Sequence, residues 1–442
     1  MFSARDLRNL IIPLILEQLL AVSIGMADTV MVSTAGDAAV AGISLVDSMS
    51  VLLINLFTAL TTGGSVIATQ YLGKGSVDRA KECAKQLEFT VLLISCVIGF
   101  ACAAFRKPIL NLVYGQIEAD VFFHADRYFL MLALSYPLLG VYSSGAALFR
   151  GMADSKTPLK VSVLMNVINV IGNAICIYIF HLGAMGAGLA TLISRVAGSV
   201  IITALLMQKK RLIHLEDPLS IKPDGQMIKR ILRIGIPSGI ENSMFQIGKL
   251  LVAGMVSTFG TAAIAANAVA NNFTSLQVMP GASVGTAMLT VIGRYMGAGD
   301  HEGAKKNAIK LMKLAYLVQW GMIAALLILH KPIMGLYAVT EESVALASKM
   351  YVFHAIGSIL IWPLSFNMPN VLRAAGDVKY TMTVSMVFVF LARVVSSYLL
   401  AFTFNMGVMG IWVGMQIDWV FRSIFFTGRY ISGKWLTKKV IE

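Results

Sequence analysis

Two carboxylates, Glu17 and Asp28, stand in the first long apolar run of this 442-residue chain. Eleven residues make about three α-helical turns, so both acids lie on one face. Asp28 sits among Gly25, Met26, Ala27 and Val30, with no cation near it in sequence. Such a carboxyl group can carry a proton or bind a small cation through its oxygens. Further along, Asn166, Asn169 and Asn173 fall at i, i+3 and i+7, one face of a helix. In the second half, Glu241, Gln246 and Lys249 share one run, and Asn267, Asn271 and Asn272 the next. Arg393 lies thirteen residues before Met406 and Asp418 twelve after it, so the two are expected to meet as a structural ion pair. The same construction about Leu182 sets Asn169 opposite Arg195. Lys249 is left to pair with Glu241, with Asp28, or with nothing. Ionisable groups at membrane depth cost about 2.5–3.5 kcal/mol each, which makes them functional candidates by default.

The elements that must position these groups follow from composition. The chain is 57% hydrophobic and 13% charged, against about 25% charged in a soluble protein. Even a large soluble domain leaves about a quarter of its chain's surface in water. A soluble enzyme and a disordered chain are therefore both excluded. Twelve apolar runs reach the length of a bilayer-crossing helix, about 20 residues. Their cores are 10–33, 44–70, 87–105, 128–149, 161–181, 186–207, 234–257, 264–292, 311–329, 350–372, 381–404 and 408–428. Barrel strands alternate over about 10 residues; these runs do not, so an all-α polytopic membrane protein is expected. With the N-terminus and every second loop cytoplasmic, those segments hold 28 of the 36 Lys and Arg, Arg422 counted with the C-terminal tail. That bias places both termini in the cytoplasm. It also explains the net charge of +13 without nucleic acid. The first run is too long, and too acidic, for a removable signal peptide. The four cysteines form no CxxC pair, and the six histidines no metal cluster. Gly73-Lys74-Gly75 lacks the spacing of a phosphate-binding loop, so energy is expected from an ion gradient.

The chain also repeats itself at a shift of 224. MVSTAGDAAVA (31–41) matches MVSTFGTAAIA (255–265) at eight of eleven positions, and Pro13 and Glu17 match Pro237 and Glu241. Tyr71, Gly73 and Gly75 match Tyr295, Gly297 and Gly299; at a shift of 223, Arg150 and Asp154 match Arg373 and Asp377. Six runs per half means both halves enter the membrane in the same sense, a parallel repeat. The expected organisation is an N-lobe at 1–207, a cytoplasmic linker at 208–233 and a C-lobe at 234–442. Two such lobes frame a cleft that rocks between its two openings. Prolines 13, 137, 237, 280, 363 and 369 lie in or at the start of runs, where they permit bends. The 25 methionines and the aromatic side chains suit flat organic cations. Gln18, Asn55, Tyr136, Gln246, Asn267, Asn271 and Trp362 are the candidate substrate contacts.

Several short motifs occur in order within this frame: Pro13 with Asp28-Thr29-Val30-Met31, Gly36 and Ala41; Tyr71-Leu72-Gly73-x-Gly75 and Tyr295-Met296-Gly297-x-Gly299; Arg150-Gly151-x-x-Asp154-x-Lys156; and Gly183-x-x-Gly186. Together they resemble the multidrug and toxic compound extrusion (MATE) transporters over nearly the whole chain. The resemblance implies two six-helix lobes and export of organic cations against H+ or Na+. It makes Asp28 the coupling residue of the N-lobe, with Asn169 on the fifth run. Asn173 stands where members of that kind carry an Asp, which removes one carboxylate. Other members use an acid on the seventh run, and Glu241 is such an acid. The expected protein is a monomeric plasma-membrane antiporter of small organic cations, with no enzymatic activity and no cofactor. Asp28, Glu17, Asn169, Asn173 and Glu241 are its coupling candidates, and Na+ at Asp28 or Glu241 is an alternative to H+. A lipid-precursor or polysaccharide flippase of the related superfamily is the second reading; it calls for several cleft-lining cations.

Overall fold

The computed structural model describes residues 2–115, 118–215, 222–335, 337 and 339–441, apart from the side chains of 23–27, 29 and 30. The linker expected at 208–233 therefore lies partly outside the described residues, as do Gly25, Met26, Ala27, Thr29 and Val30 as side chains.

Among the described residues the chain is helical, without strands. Its first half comprises α1 (Ala4–Ser33), α2 (Asp37–Gly73), α3 (Val77–Ala104), the short α4 (Arg106–Tyr114), α5 (Ala119–Gly151), α6 (Lys156–Asn173) and α7 (Gly183–Leu206). A π-helical segment, Ala174–Ile179, continues α6. The second half comprises α8 (Gly225–Ser257), α9 (Thr261–Gly297), α10 (His301–Met334), α11 (Glu341–Phe366), α12 (Met368–Ala374), α13 (Val378–Phe388), α14 (Val395–Tyr398) and α15 (Gly407–Ile431). Two π-helical segments, Val389–Val394 and Leu399–Thr403, flank α14. Joined end to end where they run on, these pieces make twelve long rods. Among the described residues nine of them are long and apolar enough to cross a membrane; the others, α1, α8 and α15, carry Glu17 and Asp28, Glu241 and Lys249, and Asp418 and Arg422. Large apolar side chains such as Leu93, Phe100, Ile328 and Leu391 are exposed, as lipid contact requires.

The rods gather into two compact units, Phe2–Gly239 and Ile240–Glu442. The interior of the first packs Val46, Phe57, Phe129, Tyr136 and Ile177 together. That of the second packs Phe273, Met350, Tyr351 and Trp412. The duplication seen in sequence recurs in the backbone. α2 and α9 begin at Asp37 and Thr261 and end at Gly73 and Gly297, the same 224 apart. The turns repeat as well: Gly36 and Gly260 have φ of 99° and 89°, and His181 and Asn405 have φ of 54° and 53°. Glycine occupies the first pair because that region penalises a Cβ. One difference accompanies the changing shift. From 223 at Arg373 the shift returns to 224 at Gly407, and the second unit has the additional π-helical segment Val389–Val394. A π turn absorbs one extra residue within a helix.

A close approach sets up the first unit's interior. A Cβ on Gly42 would lie 2.8 Å from the Ala125 nitrogen and 2.9 Å from the Val121 oxygen. Only glycine lets α2 and α5 come this near. One turn and a half further on, that contact brings Asp47 of α2 to Tyr128 of α5.

Candidate functional site

In the first unit, four rods converge on Asp28. The Asn173 amide donates to the Asp28 carboxylate at 2.8 Å. With its amide nitrogen turned to the same carboxylate, Asn169 donates to both oxygens at 3.0 and 3.1 Å, and its oxygen accepts from the N–H and hydroxyl of Thr191. That orientation is the one in which donors face an acceptor-only group. Asn169 and Asn173 are one helical turn apart on α6, and the π-helical segment starts at the next residue, Ala174. The Tyr128 hydroxyl donates to Asp47 at 2.9 Å, and Arg195 of α7 donates to the Ser135 hydroxyl at 2.6 Å. Asp28, Asp47, Tyr128, Asn173 and Thr191 line a cavity of about 130 Å³. The Oδ1 of Asn173, itself buried, has no hydrogen-bond partner. Two carboxylates, an amide oxygen and two hydroxyls form a hard-oxygen donor set suited to a proton or a small cation. Among the described residues no group of three or more His, Cys, Asp or Glu side chains is placed to hold a metal ion.

Glu17 is not gathered into this site. It pairs with Arg150, the last turn of α5, at 2.7 Å, about 16 Å along α1 from Asp28 at 1.5 Å per residue. Its counterpart Glu241 is buried and bonded to Arg373 at 2.7 Å, with Thr381 and Ser385 donating at 3.2 and 2.5 Å. Lys249 is thus not the partner of Glu241. The two halves carry the same acid–arginine tie at equivalent places, although the second carboxylate oxygen of Glu17 is buried without a hydrogen-bond partner. Arg393 and Asp418 lie 2.9 Å apart, deeply buried. Asn169 and Arg195 do not meet; each has the other partners named above.

The substrate candidates are scattered. Tyr136 is fully buried, bonded to Ser50 at 3.0 Å, and fills the packed interior instead of the cavity wall. Gln18 is exposed and Asn55 half-buried. Asn267 accepts from Trp412 at 3.2 Å, and Asn271 caps back onto the Asn267 carbonyl at 2.8 Å. Trp362 stacks on Phe366 at 5.0 Å. Gln246 is half-buried on α8.

Sequence reasoning passed over Asp47, Tyr128, Thr191 and Arg422. Asp47 sits near the start of an apolar run and reads as a boundary charge. Arg422 falls in sequence near the basic C-terminal tail, yet it is only 3% exposed, inside the second unit. A signal existed: in the helical register of α15 it follows Asp418 by one turn.

The comparisons with known proteins agree with this architecture. The family model MatE matches the chain twice, over residues 13–175 and 237–399, which are again 224 apart. The probable multidrug resistance protein NorM of Thermotoga maritima is 25% identical, over 99% of this chain and 94% of its own. The uncharacterized transporter YisQ of Bacillus subtilis is 27% identical, over 96% and 94%. Among solved structures, a MATE in the bent conformation superposes with a TM-score of 0.89 at 19% identity, covering 98% of this chain and 96% of that one. A MOP superfamily transporter from Pyrococcus furiosus gives the same score at 20% identity, with the same coverage. With the family model covering most of both halves, the chain belongs to the MatE family, a family of membrane transporters and not of enzymes.

Proposed function

We propose that this protein is a secondary antiporter that exports small organic molecules, organic cations foremost, in exchange for H+ or Na+. The observation that carries the reading is the Asp28 carboxylate on the first of the twelve rods, held by two side-chain amides at the wall of a cavity. An acid kept there has no cation bonded to it, unlike Glu17 and Glu241. Protonation or cation binding at Asp28 removes the charge that the Asn169 and Asn173 amides solvate. The local bonding of α1 against α6 then changes, and the π-helical turn after Asn173 is a place where α6 can yield. Asp47, tied to Tyr128, is a second carboxylate in the cavity, beside the Asn173 amide. We read alternating access between two lobes as the transport cycle. The Lys and Arg bias supports cytoplasmic termini in the plasma membrane, and a monomer is the working unit.

The names of the relatives, multidrug resistance proteins among them, support efflux. The test is driven transport of ethidium in proteoliposomes under an imposed pH or Na+ gradient. Asp28→Asn is expected to reduce gradient-driven efflux at least about tenfold while the protein still folds. Unaltered driven efflux in that variant overturns the assignment.

A flippase reading has one observation in its favour. Arg422 raises the intramembrane cations to four, with Arg195, Lys249 and Arg393. The Pyrococcus neighbour is described as having a binding pocket of reverse polarity that suggests a different function. Gradient-independent movement of lipid in the same vesicles would favour this second reading.

A further inference from the structure

The second unit contains an accumulation of positive charge, two buried arginines and an exposed lysine, that ion coupling at Asp28 does not use. Three cations surround the Phe245 ring: Arg393 at 4.8 Å, Arg422 at 5.7 Å and Lys249 at 5.9 Å from its centroid. Among the described residues two acids lie near these cations, each bonded to an arginine other than Arg422, Asp418 through one oxygen only, its Oδ1 being buried without a hydrogen-bond partner. Glu241 is taken by Arg373 at 2.7 Å, and Asp418 by Arg393 at 2.9 Å. Arg422 therefore has no carboxylate bonded to it, although it is only 3% exposed. Its Nε and Nη1 are buried without a hydrogen-bond partner. What it has instead is rings: Phe366 at 4.7 Å, Phe426 at 5.7 Å and Phe245. Trp362 stacks on Phe366, and Trp419 meets Phe366 edge-on at 5.7 Å. Cation–π contact compensates a buried guanidinium only in part, since it leaves N–H donors unbonded. An unpaired buried charge is among the costliest features a protein keeps.

Access exists from one side. Asn242, Phe245, Gln246 and Lys249 fall at i, i+3, i+4 and i+7 on α8, one face of that helix, and they are half-buried or, for Lys249, exposed. A ligand resting on that face meets a ring with two arginines beside it and an ammonium at its edge.

We propose that the second unit binds the anionic group of an amphipathic small molecule, a carboxylate, sulfonate or phosphate carried on an apolar body. Arg422, Arg393 and Lys249 supply the charge, and Phe245, Phe366 and Trp419 supply the apolar wall. The anion supplies the acceptors that the Arg422 N–H groups lack, and the body displaces water from the rings. Cargo with both an amine and an acid, or an organic anion, fits this unit better than a simple organic cation does.

The test uses the full-length protein in phosphatidylcholine nanodiscs, with 1-naphthoate and the neutral 1-naphthamide as probes in calorimetric titration. Saturable naphthoate binding, at least about tenfold tighter than naphthamide, is expected. Lys249→Gln, at an exposed position that does not endanger folding, is expected to weaken naphthoate about tenfold and to leave naphthamide unchanged. Arg422→Met is expected to do the same more strongly. Equal affinity for the two probes, or naphthoate binding unmoved by Lys249→Gln, overturns the proposal. Anionic lipid is the other source of the same chemistry. Nanodiscs containing phosphatidylglycerol identify a lipid headgroup if they suppress naphthoate binding in the wild type, and a soluble anion if they do not. Naphthoate binding that persists in protein whose gradient-driven efflux is absent supports this site independently of the coupling reading.

Discussion

The two units share a backbone plan and differ in charge. Where the first has Asp28, the second has Val252; where the first has Asp47, the second has Asn271; where the second has Arg422, the first has Gly198. The acid–arginine tie is kept in both, Glu17 with Arg150 and Glu241 with Arg373, each at 2.7 Å. The extra residue of the second unit falls in the π-helical segment that carries Arg393. The result is an interior with two carboxylates around a cavity in one unit and an excess of cations around aromatic rings in the other. Duplication preserved what holds the rods together and left the polar interior free to diverge. Glu17 and Glu241 kept their arginines, while the positions of Asp28, Asp47 and Arg422 changed between the repeats.

The largest expected effect that can break this comparison is at Arg393. Arg393→Met leaves Asp418 buried without its partner, and the loss of stability should be about 3–5 kcal/mol. Adding Asp418→Leu should restore most of it, because apolar replacement of a whole buried pair is near neutral. Thermal unfolding of the three proteins in one detergent measures this. A double variant no more stable than the single would mean that Asp418 is held by something else.

The kept ties come next. Glu241 has 3% of its side chain exposed against 14% for Glu17, and the arginine partners follow the same order at 16% and 26%. Glu241→Gln should therefore cost about 3 kcal/mol and Glu17→Gln about 1 kcal/mol. Denaturation midpoints of the two variants should fall in that order. The reverse order would show that the ties are not equivalent.

The smallest effect is at the start of the first rod. Ser3 and Asp6 form a reciprocal cap on α1, whereas the corresponding positions of the second sequence repeat, at a shift of 224, are Met227 and Arg230, the latter bonded to Tyr71 at 3.0 Å. Asp6 precedes the apolar core of α1. The Ser3 backbone N–H and hydroxyl hold its carboxyl below the usual aspartate range. With the folded value depressed, the contribution is complete above the ordinary value of about 3.9 and is lost as pH falls through the folded value. Wild type and Asp6→Asn should differ slightly in thermal midpoint near neutral pH and converge in acid. A gap that stays constant across the titration would remove the cap from the account.

Much of the frame was legible in the residues, and the site less so. Rod length, apolar continuity and the shift of 224 are local or pairwise properties of a string, so the helices and their duplication could be read directly. The Asn169 and Asn173 face could be read too, because i, i+4 spacing is local. Asp47 could not be joined to Asp28, since that needs α2 to approach α5 at Gly42. Nor could Glu17 be separated from Asp28: both share a helical face, and only the position of Arg150, 133 residues away, decides which acid is neutralised.

What the chain determined alone is a membrane-crossing, duplicated all-helical protein with a few acids, amides and cations at depth, because hydropathy and internal identity survive without coordinates. Which charge meets which was decided by tertiary packing. Burial makes a charge choose one partner within a few ångströms, and that choice left Asp28 with amides, gave Glu17 and Glu241 their arginines, and left Arg422 among rings.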